Sequence, residues 1–96
     1  MNAYDASRRF AERMKRFYPP GTRVLLNHMD DPYAPVPPGT KGTIQFVDDI
    51  GQLHMNWDNG RTLALVPGED DFRKLTPQEL AEENSVTEDD APVMGM

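Results

Sequence analysis

Two histidines and the aspartates near them are the residues of this chain whose types and spacing could do chemistry. His28-Met29-Asp30-Asp31 sets an imidazole beside two carboxylates, and His54, Asp48, Asp49, Asp58, Asp70 and Asp71 add donors at neighbouring turn signals. Zinc accepts imidazole and carboxylate ligands, whereas calcium and magnesium take carboxylates and carbonyls. A divalent ion such as zinc on His28, Asp30 and Asp31 is therefore one expectation. The competing one is that aspartates at turns serve the turns and that His54 faces solvent from a strand. Covalent chemistry has less to draw on. There is no cysteine, Ser7 and Ser85 sit in no nucleophile-elbow pattern, and neither a Gly-x-Gly-x-x-Gly run nor a phosphate-binding loop occurs. An enzyme is not expected, and no organic cofactor is implied.

These residues must be positioned by a small core, since 96 residues allow one modest domain. The segment expected to organise it is Leu53-His54-Met55-Asn56-Trp57-Asp58-Asn59-Gly60-Arg61-Thr62-Leu63-Ala64-Leu65. Apolar residues alternate on both sides of Asn59-Gly60, which predicts a hairpin whose turn places both residues at positive φ. Trp57, the single tryptophan, is expected to plug one end of the core. Other strands are predicted at 22–29, with Val24, Leu26 and His28 on one face, at 40–47, with Gly42 at a bend, and at 72–75. With the hairpin arms 52–57 and 61–66, five short strands predict a closed barrel, which removes exposed edges. Residues 30–39 are too proline-rich for a central strand and predict a stiff loop, with Tyr33 and Val36 tucked onto the barrel.

Two helices flank this unit. Asn2 to Tyr18 carries an apolar stripe of Ala3, Ser7, Phe10, Met14 and Phe17, flanked by Tyr4, Ala11 and Tyr18, with Arg8, Arg9, Arg13 and Arg16 largely off it. Asn2 can cap it, and Pro19-Pro20-Gly21 ends it. Docking on the barrel is the first expectation for the stripe, and self-association or a partner the others. Thr76-Pro77-Gln78-Glu79 opens a short helix to about Asn84, with Leu80 as its main apolar contact. The organisation is thus an amphipathic helix at 1–18, a barrel at 19–75, a short helix at 76–84 and a disordered acidic tail at 85–96.

Net charge is −6 and unevenly spread. Residues 1–20 hold five Arg or Lys against two carboxylates, whereas residues 69–96 hold two against nine. A head and tail of opposite sign can fold back on one another or meet different partners. The overall sign disfavours binding to phosphate backbones. No run approaches a membrane span, and the N-terminus lacks the apolar core of a signal peptide, so a cytoplasmic, membrane-free location is expected.

The runs Tyr18-Pro19-Pro20-Gly21-Thr22, Asp30-Asp31-Pro32-Tyr33, Pro37-Pro38-Gly39-Thr40-Lys41-Gly42-Thr43, Val47-Asp48-Asp49-Ile50-Gly51, Trp57-Asp58-Asn59-Gly60 and Pro67-Gly68-Glu69-Asp70 occur in that order. Over roughly residues 8–76 this pattern resembles a small bacterial SH3-like domain of unknown function, frequent in phages and mobile elements. The resemblance implies a fold and a bacterial phage or mobile-element setting, and carries no established catalytic residues to transfer. From setting, size and charge, the leading expectation is a protein-binding module. Its concrete version is an acidic, anti-CRISPR-like inhibitor that presents carboxylates to the basic channel of a CRISPR nuclease or another host nucleic-acid enzyme. The expected contacts are Asp30, Asp31, Tyr33, Asp48, Asp49, Asp70 and Asp71, with the tail. Two other readings stay open. One is nucleic-acid binding through Arg23, Lys41, Arg61, Arg73, Tyr33 and the basic helix. The other is a structural scaffold assembled by the N-terminal helix.

Overall fold

A computed structural model describes residues 3–84. The Asn2 cap and the acidic tail lie outside the described residues. The elements are helix α1 (Ala3–Phe17), strands β1 (Arg23–His28), β2 (Lys41–Val47), β3 (Leu53–Trp57) and β4 (Asp71–Lys74), and a helix α2 over 77–84. The strands form one antiparallel sheet in the order β3-β2-β1-β4.

The sheet is open, which corrects the expectation of a closed five-stranded barrel. The strand expected at 61–66 does not form: beyond the turn bond onto the Arg61 carbonyl, only Leu65 pairs with β3, by mutual hydrogen bonds with Leu53 of 3.0 and 2.9 Å. The cause lies with the tryptophan. The register that pairs Leu53 with Leu65 would aim the Leu63 carbonyl at β3, but Trp57 Nε1–H donates to that carbonyl at 2.8 Å. An indole cap takes the place of a ladder bond.

The turn also differs from expectation. Among the described residues none other than glycine has positive φ, so Asn59 stays in ordinary backbone space while Gly60 sits at φ 91°. Gly60 N–H donates to the Trp57 carbonyl and Trp57 N–H to the Arg61 carbonyl, both at 2.9 Å. This is a three-residue turn ending in a glycine bulge. Asn59 instead uses its side-chain oxygen to accept from Arg61 N–H at 3.0 Å.

Two bulges re-aim side chains. The β1–β4 register slips between Leu26 and His28, and the β2–β3 register slips between Ile44 and Phe46. An extra residue in one strand inverts the facing of those that follow. His28, expected beside Val24 and Leu26, therefore faces out, and Met29 goes in. Phe46 faces out and Val47 goes in.

The core comprises Val24, Leu26, Met29, Val36, Ile44, Val47, Leu53, Met55, Trp57 and Leu65. Gly42 serves it by close approach rather than as a bend: a Cβ there would lie 2.6 Å from Trp57 Cε3. Helix α1 docks through Ala11, Phe10 and Met14, with Phe10 against Gly51, where a Cβ would meet its ring at 2.6 Å. Lys15 Nζ reaches Asp49 at 2.7 Å. The stripe is only partly used, for Ser7 is exposed and Phe17 is 58% exposed.

Helix α2 opens with a reciprocal cap. Thr76 N–H donates to Glu79 Oε1 at 2.8 Å, and Glu79 N–H donates to Thr76 Oγ1 at 3.1 Å. Ion pairs, more than Leu80, hold this helix to the sheet, and Leu80 stays 38% exposed. Arg73 forks onto Glu79 at 2.7 and 2.9 Å, and Glu83 meets Arg23 at 2.7 Å. Arg73 first, then the Thr76 amide, hold the Glu79 carboxyl down to about 2. Because the folded value is depressed, the cap's contribution is complete above the ordinary value of 4.5 and is lost as pH falls through about 2. A carbon-detected NMR titration of Glu79 is expected to give that low midpoint. A midpoint at the ordinary value would show the cap open in solution.

Candidate functional site

The aspartates named from sequence separate into two groups. Asp30, Asp31, Asp70 and Asp71 gather where β1 ends and β4 begins, beside His28, which pairs in register with Asp71. Asp48 and Asp49 follow the far end of β2, where Asp49 meets Lys15 of α1. The two groups do not make one continuous acidic face.

At the first end, the loops are tied together by carboxylates. Asp70 accepts Asp30 N–H through Oδ1 and Val66 N–H through Oδ2, each at 2.8 Å, which clamps the 30–39 loop to the 66–70 turn. Asp31 Oδ1 accepts Tyr33 N–H at 2.8 Å and Ala34 N–H at 3.4 Å, a side-chain-capped turn. Val36 then anchors the loop, fully buried, with its N–H on Met29 Sδ at 3.3 Å. Arg61 donates its guanidinium to the Ala34 carbonyl from across the loop.

This scaffold places Tyr33 in solvent. The expectation that it tucks onto the core with Val36 holds for Val36 alone, since Tyr33 is 92% exposed. Tyr33 lies within the Asp31-capped turn, two residues past its carboxylate, while Val36 follows the turn and enters the core. A cleft of about 300 Å³ runs beside it, bordered by Met29, Asp30, Pro32, Leu63 and Glu69.

The expected metal triad is not assembled. Among the described residues no three His, Asp or Glu side chains converge on an ion site. The bulge turns His28 outward, and Asp31 spends an oxygen on its own turn. The turn-chemistry reading of the aspartates is the one the hydrogen bonds support.

At the other end, Asp48 holds the β2–β3 connection. Its Oδ1 accepts Gln52 N–H at 2.9 Å and Ile50 N–H at 3.1 Å, and its Oδ2 lies 2.8 Å from His54 Nε2. Burial pushes the Asp48 carboxyl up, but the bonds from His54, Gln52 and Ile50 outweigh it and leave it below its ordinary value. His54 stacks on Phe46, with centroids 4.3 Å apart and planes 8° from parallel. A histidine paired with a carboxylate is half of an acid–base device. Here no hydroxyl or thiol among the described residues bonds the ring, and the pair fastens a turn.

The polar hub missed from sequence is Arg23. Its guanidinium reaches Asp58 at 2.8 and 2.7 Å, Glu83 at 2.7 Å and Thr43 Oγ1 at 3.0 Å. It joins β1, β2, the Trp57 turn and α2. The Asp58 and Glu83 bonds raise the Arg23 pKa, and Arg23 in turn holds the Asp58 carboxyl low. No local signal announces it, because its partners are 20, 35 and 60 positions away.

No helix among the described residues is long and apolar enough to cross a membrane. No curated protein and no solved structure matches the chain. A family model does match, over residues 7–75, and the chain belongs to that family, described as Domain of unknown function (DUF4314).

Proposed function

We propose that the chain is a protein-binding module whose contact surface is the loop bearing Tyr33. The observation that carries this reading is an aromatic ring 92% exposed on a loop whose backbone is fixed on both sides. Tyrosines of this kind dominate binding energy in interfaces, because a rigid ring loses little entropy on contact. Asp30, Asp31 and Glu69 line the cleft that Tyr33 borders, which selects a basic partner surface.

The nucleic-acid channel of a host enzyme is a surface of that chemistry. An inhibitor of a defence nuclease, a CRISPR nuclease included, fits the phage or mobile-element setting that the sequence pattern implies. Asp48 and Asp49 fall outside this surface and have other work, at the β2–β3 turn and on Lys15.

The test is capture from host cells with the full chain and with Tyr33→Ala as bait. A basic nucleic-acid-processing protein is expected on the parent, weakened by Tyr33→Ala and by raised salt. Capture that ignores both changes, or none, would contradict the reading.

A further inference from the structure

We infer that an arginine stripe on α1 is covered by the chain's own acidic C-terminal segment, residues 85–96. This surface lies away from the Tyr33 loop, so the inference stands apart from the proposed function. Arg9, Arg13 and Arg16 fall at i, i+4 and i+7, on one side of α1 over about 10 Å of axis. All three are exposed, and none has a carboxylate partner among the described residues. That sets them apart from Lys15 and Arg73, which hold one each, and from Arg23, which holds two.

Beside the stripe is a cleft of about 430 Å³ whose described walls, Arg13, Met14, Arg16 and Phe17, all belong to this helix. Phe17 is 58% exposed there, covered in part by Lys74, whose ammonium sits 3.9 Å from the ring centroid. The surface is thus cationic with an apolar floor.

Residues 85–96 match that chemistry. They carry Glu88, Asp89 and Asp90 with no Lys or Arg, together with Val86, Val93, Met94 and Met96. The segment starts close by. Glu83 is held on Arg23, just past the turn that ends α1, and Lys74, on the Phe17 ring, lies three residues before α2. Twelve residues reach up to about 40 Å, several times the length of the stripe. Tethering gives the segment an effective concentration near millimolar, so weak ion pairs suffice to occupy the helix. A free polyanion must compete with that occupant and also approach a chain of net charge −6.

The chain lacks cysteine, so Met96→Cys in the full chain accepts a single nitroxide label. At low salt the label is expected to broaden the amides of residues 9–17. The broadening should vanish in 1 M salt, where the screening length is about 3 Å, and on adding E88Q, D89N and D90N. No broadening at α1 would overturn the inference. So would broadening that appears only between labelled and unlabelled molecules, which makes a second copy the occupant. A single-stranded oligonucleotide should perturb the α1 amides more in the E88Q/D89N/D90N chain than in the parent. Equal perturbation in both would show the stripe open and nucleic acid its partner.

Discussion

Trp57→Ala is expected to lower stability by about 3–5 kcal/mol, the usual cost of deleting a buried aromatic ring. A small domain holds only about 5–15 kcal/mol in total, so this one side chain carries a large share of it. The indole is 97% removed from solvent, packs over Gly42 and caps the Leu63 carbonyl. Alanine leaves a cavity and an unpaired carbonyl together. Trp57→Phe keeps a buried ring but loses the N–H and part of the indole, at a cost of about 1–3 kcal/mol. Gly42→Ala approaches the same contact from the other side. Its Cβ would sit 2.6 Å from the ring and 3.1 Å from the Asn56 carbonyl, and overpacking of that kind costs about 1–3 kcal/mol. Urea unfolding followed by tryptophan fluorescence measures Gly42→Ala against the parent, and circular dichroism measures the two Trp57 variants. A midpoint unchanged by Trp57→Ala would mean that the sheet does not close around the indole.

Arg23→Ala is expected to cost about 2 kcal/mol, between the 3–5 of a fully buried ion pair and the less than 1 of an exposed one. The Arg23 side chain is 20% exposed and its partners Asp58 and Glu83 are 52% and 29% exposed, which sets the discount. Removing the cation also leaves two carboxylates facing each other across the end of the sheet. Arg23→Lys is expected to recover less than half the loss, because an ammonium cannot fork onto Asp58 while reaching Glu83. The variant has a pH signature. Arg23 depresses the Asp58 pKa, so the stabilisation is present above the ordinary carboxylate value and disappears as pH falls through the folded one. Arg23→Ala should therefore flatten the acid limb of the stability profile. Parent and variant profiles that run parallel below pH 4 would remove Asp58 as the partner that matters.

What could be read in the sequence was what depends on near neighbours. The 3.6-residue spacing of Phe10, Met14 and Phe17 places α1, whose Ala3–Phe17 span lies within one residue of the expected ends. Thr76 and Glu79 announce the α2 cap, and Trp57-Asp58-Asn59-Gly60 announces a turn. What escaped depends on contacts distant in sequence. Nothing in Leu26-Asn27-His28 or Ile44-Gln45-Phe46 marks an extra residue in the ladder, and the first bulge puts His28, expected inward, at the surface. Residues 61–66 alternate well enough for a strand, and the tryptophan that suggested the hairpin took the carbonyl the strand needed.

The site followed the same division. Of the aspartates suggested as ligands or contacts, Asp71 opens β4, while backbone amides of the connections account for Asp31 and Asp70, and for Asp48 together with His54. Sequence cannot say how many oxygens a turn consumes, and the ones left over decide what a partner meets. Tyr33 is expected both on the core and among the contacts; its 92% exposure removes the first expectation, and the contact remains the proposal made above. Arg23 could be found only with the strand register in hand.

The measurement closest to the central claim replaces Tyr33 with a photo-crosslinking phenylalanine analogue in the full chain, expressed in host cells, with Ile50 as the control position. Ile50 is 68% exposed at the other end of the sheet, so it matches Tyr33 in accessibility and not in surroundings. One dominant adduct with a basic protein from position 33, and none from position 50, is the predicted result. Equal adducts from both positions, or none from position 33, would contradict a recognition surface on this loop.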